Sequence, residues 1–143
     1  MRSILFCLAL ILASLLPGAS LAQEAEVPLF DSYEDMRATL DQLVSERRVG
    51  ELLSAFGGGD EMSLQDMSSL EMQVRNIYPE DFANTAVMLR AEMAEGFGQE
   101  LIAYWSGTSY IYVRVLWHEL PEGGVLALNM TFNSNPDVLI ALF

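Results

Sequence analysis

The sequence predicts a single α+β domain, in which N-terminal amphipathic helices pack on one face of a four-stranded antiparallel meander. Apolar residues recur at three- and four-residue spacing in the first half of the chain, as in amphipathic helices. From Ala86 onward the spacing shifts towards two, and the short turn signals AEG, SGT and PEGG separate the apolar runs. Because short turns join neighbouring strands in antiparallel order, we expect a meander.

The first 22 residues have the form of a cleaved secretory signal peptide. Arg2 precedes an apolar run from Ile4 to Leu16, and the small-residue pattern SLA ends at Ala22. This run of 13 residues is shorter than the roughly 18 to 20 that a membrane-spanning helix needs. We therefore expect cleavage after Ala22, a periplasmic or secreted location, and no membrane attachment of the processed chain.

Composition excludes several chemistries for residues 23–143. Cleavage removes Cys7, the only cysteine, and with it any thiolate metal site or cysteine nucleophile. The net charge of the whole chain is −13, and the loss of Arg2 makes it −14. No lysine is present, so Schiff-base chemistry is excluded. Nucleic acid binding is disfavoured because contacts to phosphates need clustered cations. We expect one domain at residues 31–143, preceded by a flexible start at residues 23–30.

Capping residues mark the beginnings of two helices. Ser32 precedes Asp35 by three residues, and Ser63 stands in the same relation to Asp66. Each pair is followed by an apolar stripe: Tyr33, Met36, Leu40, Leu43 and Val44 in the first helix, and Leu64, Met67, Leu70, Val74 and Ile77 in the second. We expect the first helix to break near Gly50 and to continue as a short second piece.

Strands are predicted at about residues 86–93, 97–105, 109–120 and 125–133. Residues 82–95 also fit a third helix, because their apolar residues have helical spacing as well. If PEGG is a four-residue hairpin loop, the opposite pairs are Val113 with Phe132, Val115 with Met130, and Trp117 with Leu128. This side of the sheet is almost wholly apolar, so the helices should cover it.

Two more loops align a charged row on the other side of the predicted sheet. A three-residue loop at residues 106–108 sets Glu100 opposite Arg114, and a loop at residues 94–96 sets Arg90 opposite Glu100. The same registers direct four residues to the core: Val87, Leu89, Leu101 and Ala103. The row is interpreted either as a cross-strand ion ladder or as an anion-binding point, where two guanidiniums share one carboxylate.

Tyr110 and Tyr112 lie on the same predicted side as Arg114 and His118. Further apolar residues are predicted there: Met88, Ile102, Tyr104 and Leu116. Such a face is too apolar for plain solvent surface, so residues 134–143, a partner or a ligand should cover it. The structure of this tail is open: Asn135 followed by Pro136 and Asp137 is typical of a helix start, whereas VLIALF suits a buried strand.

His118 and Glu119 do not form an acid–base dyad in this prediction, because neighbouring residues of a strand point to opposite faces. The single histidine comes without an HExxH pattern, and the carboxylates show no EF-hand spacing. No GxSxG motif accompanies the histidine either. The sequence therefore predicts no catalytic residue, no metal site and no cofactor.

The element order, helices followed by an antiparallel meander, resembles the cystatin-like and NTF2-like small α+β domains, and this resemblance concerns the fold alone. We expect a non-enzymatic interaction or ligand-binding module that uses the tyrosine-rich sheet face, with a protein partner or as a homodimer. The candidate binding residues are Tyr110, Tyr112, Arg114, His118, Arg90 and Glu100. The alternative is a small hydrolase or isomerase with a pocket near His118 and Arg114.

Overall fold

A computed structural model describes residues 27–143. The predicted signal peptide at residues 1–22 therefore lies outside the described residues, as does the first half of the predicted flexible start at residues 23–30. The described helices are α1 (Tyr33–Ser45), α2 (Val49–Ala55), α3 (Leu64–Ile77) and α4 (Pro136–Ile140). The strands are β1 (Leu29–Phe30), β2 (Asn84–Glu92), β3 (Phe97–Ser106), β4 (Ser109–Glu119) and β5 (Val125–Asn133).

Serine side chains cap the two long helices at their first turns. The Ser32 hydroxyl accepts a hydrogen bond from the Asp35 backbone N–H at 3.1 Å, and the Ser63 hydroxyl accepts one from the Asp66 N–H, also at 3.1 Å. A cap of this kind satisfies one of the backbone donors that a helix start leaves without a partner, and it contributes about 1 kcal/mol. Both helices therefore begin where the sequence predicted.

Strand order in the sheet is β1-β5-β4-β3-β2, and every neighbouring pair is antiparallel. The protein is thus α+β with an antiparallel sheet, as expected, but the sheet has five strands rather than four. The additional strand is β1, where Leu29 pairs with Leu126 and Phe30 with Val125. The two residues of β1 were predicted as part of a flexible start, because so short a strand has no periodicity to recognise.

Helices α1, α2 and α3 cover one side of the sheet, here called the core face. Met36 and Leu40 of α1 are fully buried against Val113, Val115 and Trp117 of β4. Burial of each such side chain contributes roughly 1.5–3 kcal/mol. This apolar layer holds the helices in place and fixes which side of the sheet remains available for other contacts, here called the outer face.

The β3–β4 hairpin is one residue tighter than predicted. Its loop consists of Gly107 and Thr108 alone, so that Ser106 pairs with Ser109. Gly107 has a φ of 58°, in the left-handed region that a tight hairpin requires and that glycine adopts at no steric cost. The predicted three-residue loop at residues 106–108 is therefore wrong.

A shift of one residue moves every side chain of a strand to the opposite face. Glu100 pairs with Val115 and lies on the core face, so the predicted pair of Glu100 with Arg114 is wrong. Arg114 instead lies opposite Leu101. The same shift exchanges the predicted faces of four β3 residues: Leu101 and Ala103 move to the outer face, and Ile102 and Tyr104 move to the core face.

Residues 84–92 form a strand, which removes the alternative of a helix over residues 82–95. Arg90 pairs with Glu100, as predicted. A bulge at Met88 then shifts the register, so that Val87 pairs with Ile102 while Leu89 pairs with Leu101. Val87 and Leu89 therefore lie on opposite faces of the sheet instead of pointing together into the core.

The β4–β5 register agrees with the prediction in the half of the hairpin that is further from its loop, where Val113 pairs with Phe132 and Val115 with Met130. A bulge at Leu128 then changes the pairing, and Trp117 lies opposite Ala127. One extra residue in β5 accounts for the difference, because a bulge sets two residues against one. His118 consequently pairs with Leu126 rather than with Ala127.

The C-terminal tail is helical at Pro136–Ile140, which resolves the choice between helix and strand. Asn135 caps this helix by accepting a hydrogen bond from the Asp137 N–H at 3.0 Å, and Pro136 occupies the first turn. Leu139 is fully buried, and α4 contacts β4 and β5. The tail therefore packs on the outer face.

Candidate functional site

Charged residues gather on both faces of the sheet, and the two clusters differ in how their charges are balanced. On the core face, Glu100 is only 1% exposed. The Tyr33 hydroxyl donates to its carboxylate at 2.6 Å and Arg90 Nη1 at 2.8 Å, and Arg37 Nη1 donates to the other carboxylate oxygen. Two arginines and a tyrosine thus neutralise and saturate one buried carboxylate.

This core-face cluster continues into α1. Arg37 pairs with Asp41 at 3.1 Å, and the Tyr104 hydroxyl donates to the same carboxylate at 2.6 Å. Burial alone would lower the pKa of Arg37, but the carboxylates of Asp41 and Glu100 outweigh it, so that the pKa is raised. We call the six residues the inner network: Tyr33, Arg37, Asp41, Arg90, Glu100 and Tyr104.

Arg90 links the inner network to the aromatic core. Its guanidinium carbon lies 4.7 Å from the centre of the Tyr33 ring and 5.6 Å from that of Trp117. Cations over aromatic faces at such distances are attracted by the ring quadrupole. Each charge of the inner network has an opposite partner, so the network joins α1 to the sheet. Within the described residues, Arg37 Nε is the buried side-chain N or O atom that has no hydrogen-bond partner.

Sequence reasoning recognised Arg90 and Glu100 but missed the α1 members of the inner network. A signal was present in the sequence, since Arg37 and Asp41 follow Tyr33 of the apolar stripe at intervals of four residues and therefore lie on one side of α1. The predicted register placed Glu100 on the outer face, away from α1. The polar residues of α1 therefore had no predicted charged partner on the sheet.

The outer face of β4 carries four of the predicted site residues in one row. Alternation along the strand places Tyr110, Tyr112, Arg114 and His118 on this side. Together with Trp105 of β3, we call them the tyrosine face. Arg90 and Glu100 do not belong to it, because the shifted register places them on the core face.

Three aromatic rings of the tyrosine face are stacked next to the β3–β4 loop. The centres of the Trp105 and Tyr110 rings are 5.7 Å apart with their planes at 15°, and those of Tyr110 and Tyr112 are 6.2 Å apart at 12°. Tyr110 is 40% exposed. The stack therefore presents a row of nearly parallel rings, and its middle ring, Tyr110, is accessible to a flat or apolar group.

Arg114 follows the aromatic row towards the middle of the sheet. It is only 9% exposed, and burial lowers its pKa. Its Nε and Nη2 donate to Gln99 Oε1 at 3.1 and 2.6 Å, and its Nη1 donates to Asn129 Oδ1 at 3.3 Å. Both partners are neutral amides. Among the arginines of residues 27–143, the other five form ion pairs and Arg114 forms none.

Of the two amide partners of Arg114, Gln99 could not be identified from the predicted register, whereas Asn129 lies diagonal to Arg114 in the predicted and the observed register alike. Gln99 lies diagonally across from Arg114 only because the β3–β4 loop has two residues, and Asn129 lies beside the bulge at Leu128. Three of the five N–H groups of the guanidinium donate to these amides, which leaves two for another acceptor.

The C-terminal tail covers part of the tyrosine face. Leu139 of α4 is fully buried, and the ring centre of Phe143 lies 5.8 Å from the Arg114 guanidinium carbon. Other apolar side chains of the tail remain 41–50% exposed: Val138, Ile140, Leu142 and Phe143. The tail is thus the partial cover that the sequence suggested, and it borders the open aromatic rings with further apolar surface.

His118 has a structural partner instead of a catalytic one. Its ring stacks on Phe97 with centres 4.0 Å apart, and its Nε2 lies 3.0 Å from the carbonyl oxygen of Glu95. Because a carbonyl only accepts, Nε2 must carry the proton in this hydrogen bond. Glu95 has a φ of 59°, in the turn between β2 and β3, so His118 fastens that turn to β4.

A groove of about 770 Å³ lies away from both clusters, between β1 and the helices α2 and α3. Its rim includes exposed apolar residues, Leu29, Leu64 and Met72. Arg75 and Glu71 also line it, but they pair with each other at 3.1 Å. The groove therefore presents apolar surface without an uncompensated charge.

Neither a metal centre nor a membrane span is found in the described part of the chain. No three His, Cys, Asp or Glu residues within 27–143 are grouped so that they could hold a metal ion. Over the same range, no helix is long and apolar enough to cross a membrane. No family model, curated protein or solved structure matches this chain, so no residue role is transferred from a relative.

Proposed function

We propose that the protein is a non-enzymatic binding module whose tyrosine face takes a ligand with one carboxylate next to an aromatic or aliphatic group. The observation that carries this proposal is Arg114, a buried guanidinium with no carboxylate partner. Burial of a charge is costly unless an opposite charge balances it. A ligand carboxylate would balance Arg114 and would accept its two remaining N–H groups in a fork geometry.

The aromatic stack supports the second half of the proposal. Tyr112 lies two residues from Arg114 on the same strand face, about 7 Å along the chain at roughly 3.3 Å per residue. An acid whose apolar group is one ring in size would therefore reach from the guanidinium to the Tyr112 ring, on which the Tyr110 ring stacks. Binding modules commonly combine apolar walls with a few fixed polar groups in this way.

A ligand screen with matched variants tests the proposal. Aromatic and aliphatic monocarboxylates are titrated into the protein, and binding is read from Trp105 fluorescence and from thermal stability. We expect Arg114→Gln to abolish binding and Tyr112→Ala to weaken it roughly fivefold, since one aromatic contact contributes about 1 kcal/mol. Arg48→Gln, which removes a partly exposed charge at the N-cap of α2, serves as the control. The proposal fails if no acid binds, or if Arg114→Gln binds as the wild type does.

The enzymatic alternative requires His118 to act as a base near Arg114. In the structure His118 uses Nε2 to hold the Glu95 carbonyl, and its ring packs on Phe97. These contacts support a binding role better than a hydrolase or isomerase. A substrate screen on the wild type and His118→Ala separates the two functions. Under the binding proposal, the His118→Ala variant retains any activity that the wild type shows. Complete loss of that activity in the variant would favour the enzyme.

We also propose that this binding takes place outside the cytoplasm, because residues 1–22 have the form of a signal peptide. The intact mass of exported protein should then correspond to a chain that begins at Gln23, and a mass that includes Cys7 would contradict the proposal.

A relation to cystatin-like or NTF2-like domains is proposed from the helices-then-sheet order alone, and superposition of an experimental structure on both would test it.

A further inference from the structure

Strand β2 forms a free edge of the sheet. Within residues 27–143 its only neighbour is β3, so one row of backbone N–H and C=O groups has no strand partner. Four apolar side chains at this edge are 40–45% exposed: Val87, Met88, Leu89 and Met93. An exposed edge strand of nine residues has unpaired backbone groups that can accept another strand.

The direction of the free backbone groups follows from the β2–β3 contacts. The Met93 N–H donates to the Phe97 carbonyl at 2.8 Å, so Met93 directs its backbone groups towards β3. Because these groups alternate along a strand, Ala91 and Leu89 do the same, while Arg90 and Glu92 direct theirs to the free edge. The free edge therefore offers two donors and two acceptors within three residues.

The sequence at this edge is complementary to itself. Residues 89–93 read Leu, Arg, Ala, Glu, Met, which is apolar, positive, small, negative and apolar. When the segment is reversed about Ala91, each arginine meets a glutamate and each leucine meets a methionine. We propose that a second copy of this chain pairs with β2, antiparallel, about a two-fold axis through Ala91.

Backbone geometry fits this register. Arg90 would face Glu92 of the second copy as a hydrogen-bonded pair, using the groups that point to the free edge. Ala91 would face its own copy as a non-hydrogen-bonded pair, in which side chains approach most closely, and alanine is small enough for that position. Paired opposite charges and apolar residues both stabilise facing positions on a sheet.

The Arg90 side chain is already arranged for this contact. Its Nη1 donates to Glu100, while Nε and Nη2 each lie 3.2 Å from a Glu92 oxygen of the same strand. Glu92 is largely exposed, so this pair within one strand is weak. Nε and Nη2 of Arg90 can therefore bind the Glu92 carboxylate of the second copy in place of Glu92 of their own strand. Nη1 keeps its hydrogen bond to Glu100, so the inner network is not disturbed.

The paired segment has natural ends. In the proposed register, Ala94 of one copy would face Met88 of the other, and there the turn at Ala94–Gly96 meets the bulge at Met88. The contact is therefore limited to five residues from each copy. It joins two five-stranded sheets into one of ten strands and leaves the tyrosine face of each copy untouched.

Disulfide formation through a single introduced cysteine tests the axis directly. Facing residues of a non-hydrogen-bonded pair lie about 4.5 Å apart at Cα, within the range for a disulfide. In a Cys7→Ser chain, Ala91→Cys should form linked dimers on mild oxidation at least about tenfold faster than Thr85→Cys, which lies on β2 beyond the bulge. Equal rates for the two variants would overturn the proposal.

Charge reversal provides the second test, in solution and without oxidation. Glu92→Arg sets like charges opposite each other twice, so we expect the dimer dissociation constant from sedimentation to rise by about tenfold. Glu122→Arg, with the same charge change in an exposed loop, should leave it unchanged. A wild-type chain that stays monomeric at millimolar concentration, or an equal effect of both variants, would overturn the proposal. Neither result would bear on acid binding at Arg114.

Discussion

Glu100 and Arg114 are two buried charges that the sheet balances in different ways. Glu100 accepts hydrogen bonds from two guanidiniums and a tyrosine hydroxyl, so its charge is fully paired. Arg114 has only the amide oxygens of Gln99 and Asn129. Removal of the first charge should therefore affect stability most, whereas removal of the second should affect binding most.

Glu100→Gln is expected to lower the free energy of unfolding by about 3 kcal/mol, because it removes the buried carboxylate that lies between the guanidiniums of Arg37 and Arg90. Urea unfolding followed by circular dichroism measures the loss. Glu51→Gln breaks an exposed ion pair with Arg48 and should cost less than about 1 kcal/mol. Similar losses in the two variants would show that the inner network contributes little.

Tyr104 should make the protein less stable at high pH. Burial, and then the hydrogen bond to Asp41, raises the pKa of Tyr104 above its ordinary value of about 10. The folded state therefore keeps this proton where the unfolded state loses it. This contribution to stability is fully present below pH about 10 and is lost as the pH rises further.

The unfolding free energy of the wild type should accordingly fall between pH 9.5 and 11 more steeply than that of Tyr104→Phe, which has no phenol to ionise at this position. Urea titrations of both proteins over this range measure the two slopes. Parallel slopes would contradict the effect. Some dependence should remain in the variant, because burial also raises the pKa of Tyr33 and Tyr78.

Gly98 of β3 lies opposite Trp117 of β4, and the indole ring fills the space beside its Cα. A methyl group at Gly98 would overlap the indole ring, so Gly98→Ala should lower the free energy of unfolding by roughly 1–3 kcal/mol. Gly50→Ala is the control, since the nearest atom to its added carbon is 3.7 Å away, and its effect should be small. Urea unfolding followed by tryptophan fluorescence compares them, and equal stability would contradict the expected overlap.

The length of a hairpin loop limits how well the register of neighbouring strands can be predicted from the sequence. The four main strands and both capped helices were predictable because hydrophobic period and capping residues are local signals. The length of the Gly107–Thr108 loop was not, since Ser106 can belong either to the loop or to the strand. That one residue decided the face of Glu100, and so the composition of both charged clusters.

For the molecule as a whole, the sequence predicted the class of fold and the row from Tyr110 to His118. It missed the inner network because this depends on contacts between α1 and the sheet, which are distant in the chain. It also missed both bulges, at Met88 and Leu128, which leave no residue signature of the kind that a glycine turn does. Local patterns therefore gave the elements, whereas long-range register gave the site.

The two borders of the sheet are unlike each other. On the β5 side, β1 occupies one end of the border, and the bulge at Leu128 lies next to it. On the β2 side the border is open. The proposed pairing of β2 with β2 about a two-fold axis stops after one step, because each copy uses its β2 edge for the contact with the other. Association of this chain should thus end in closed pairs instead of extending into filaments.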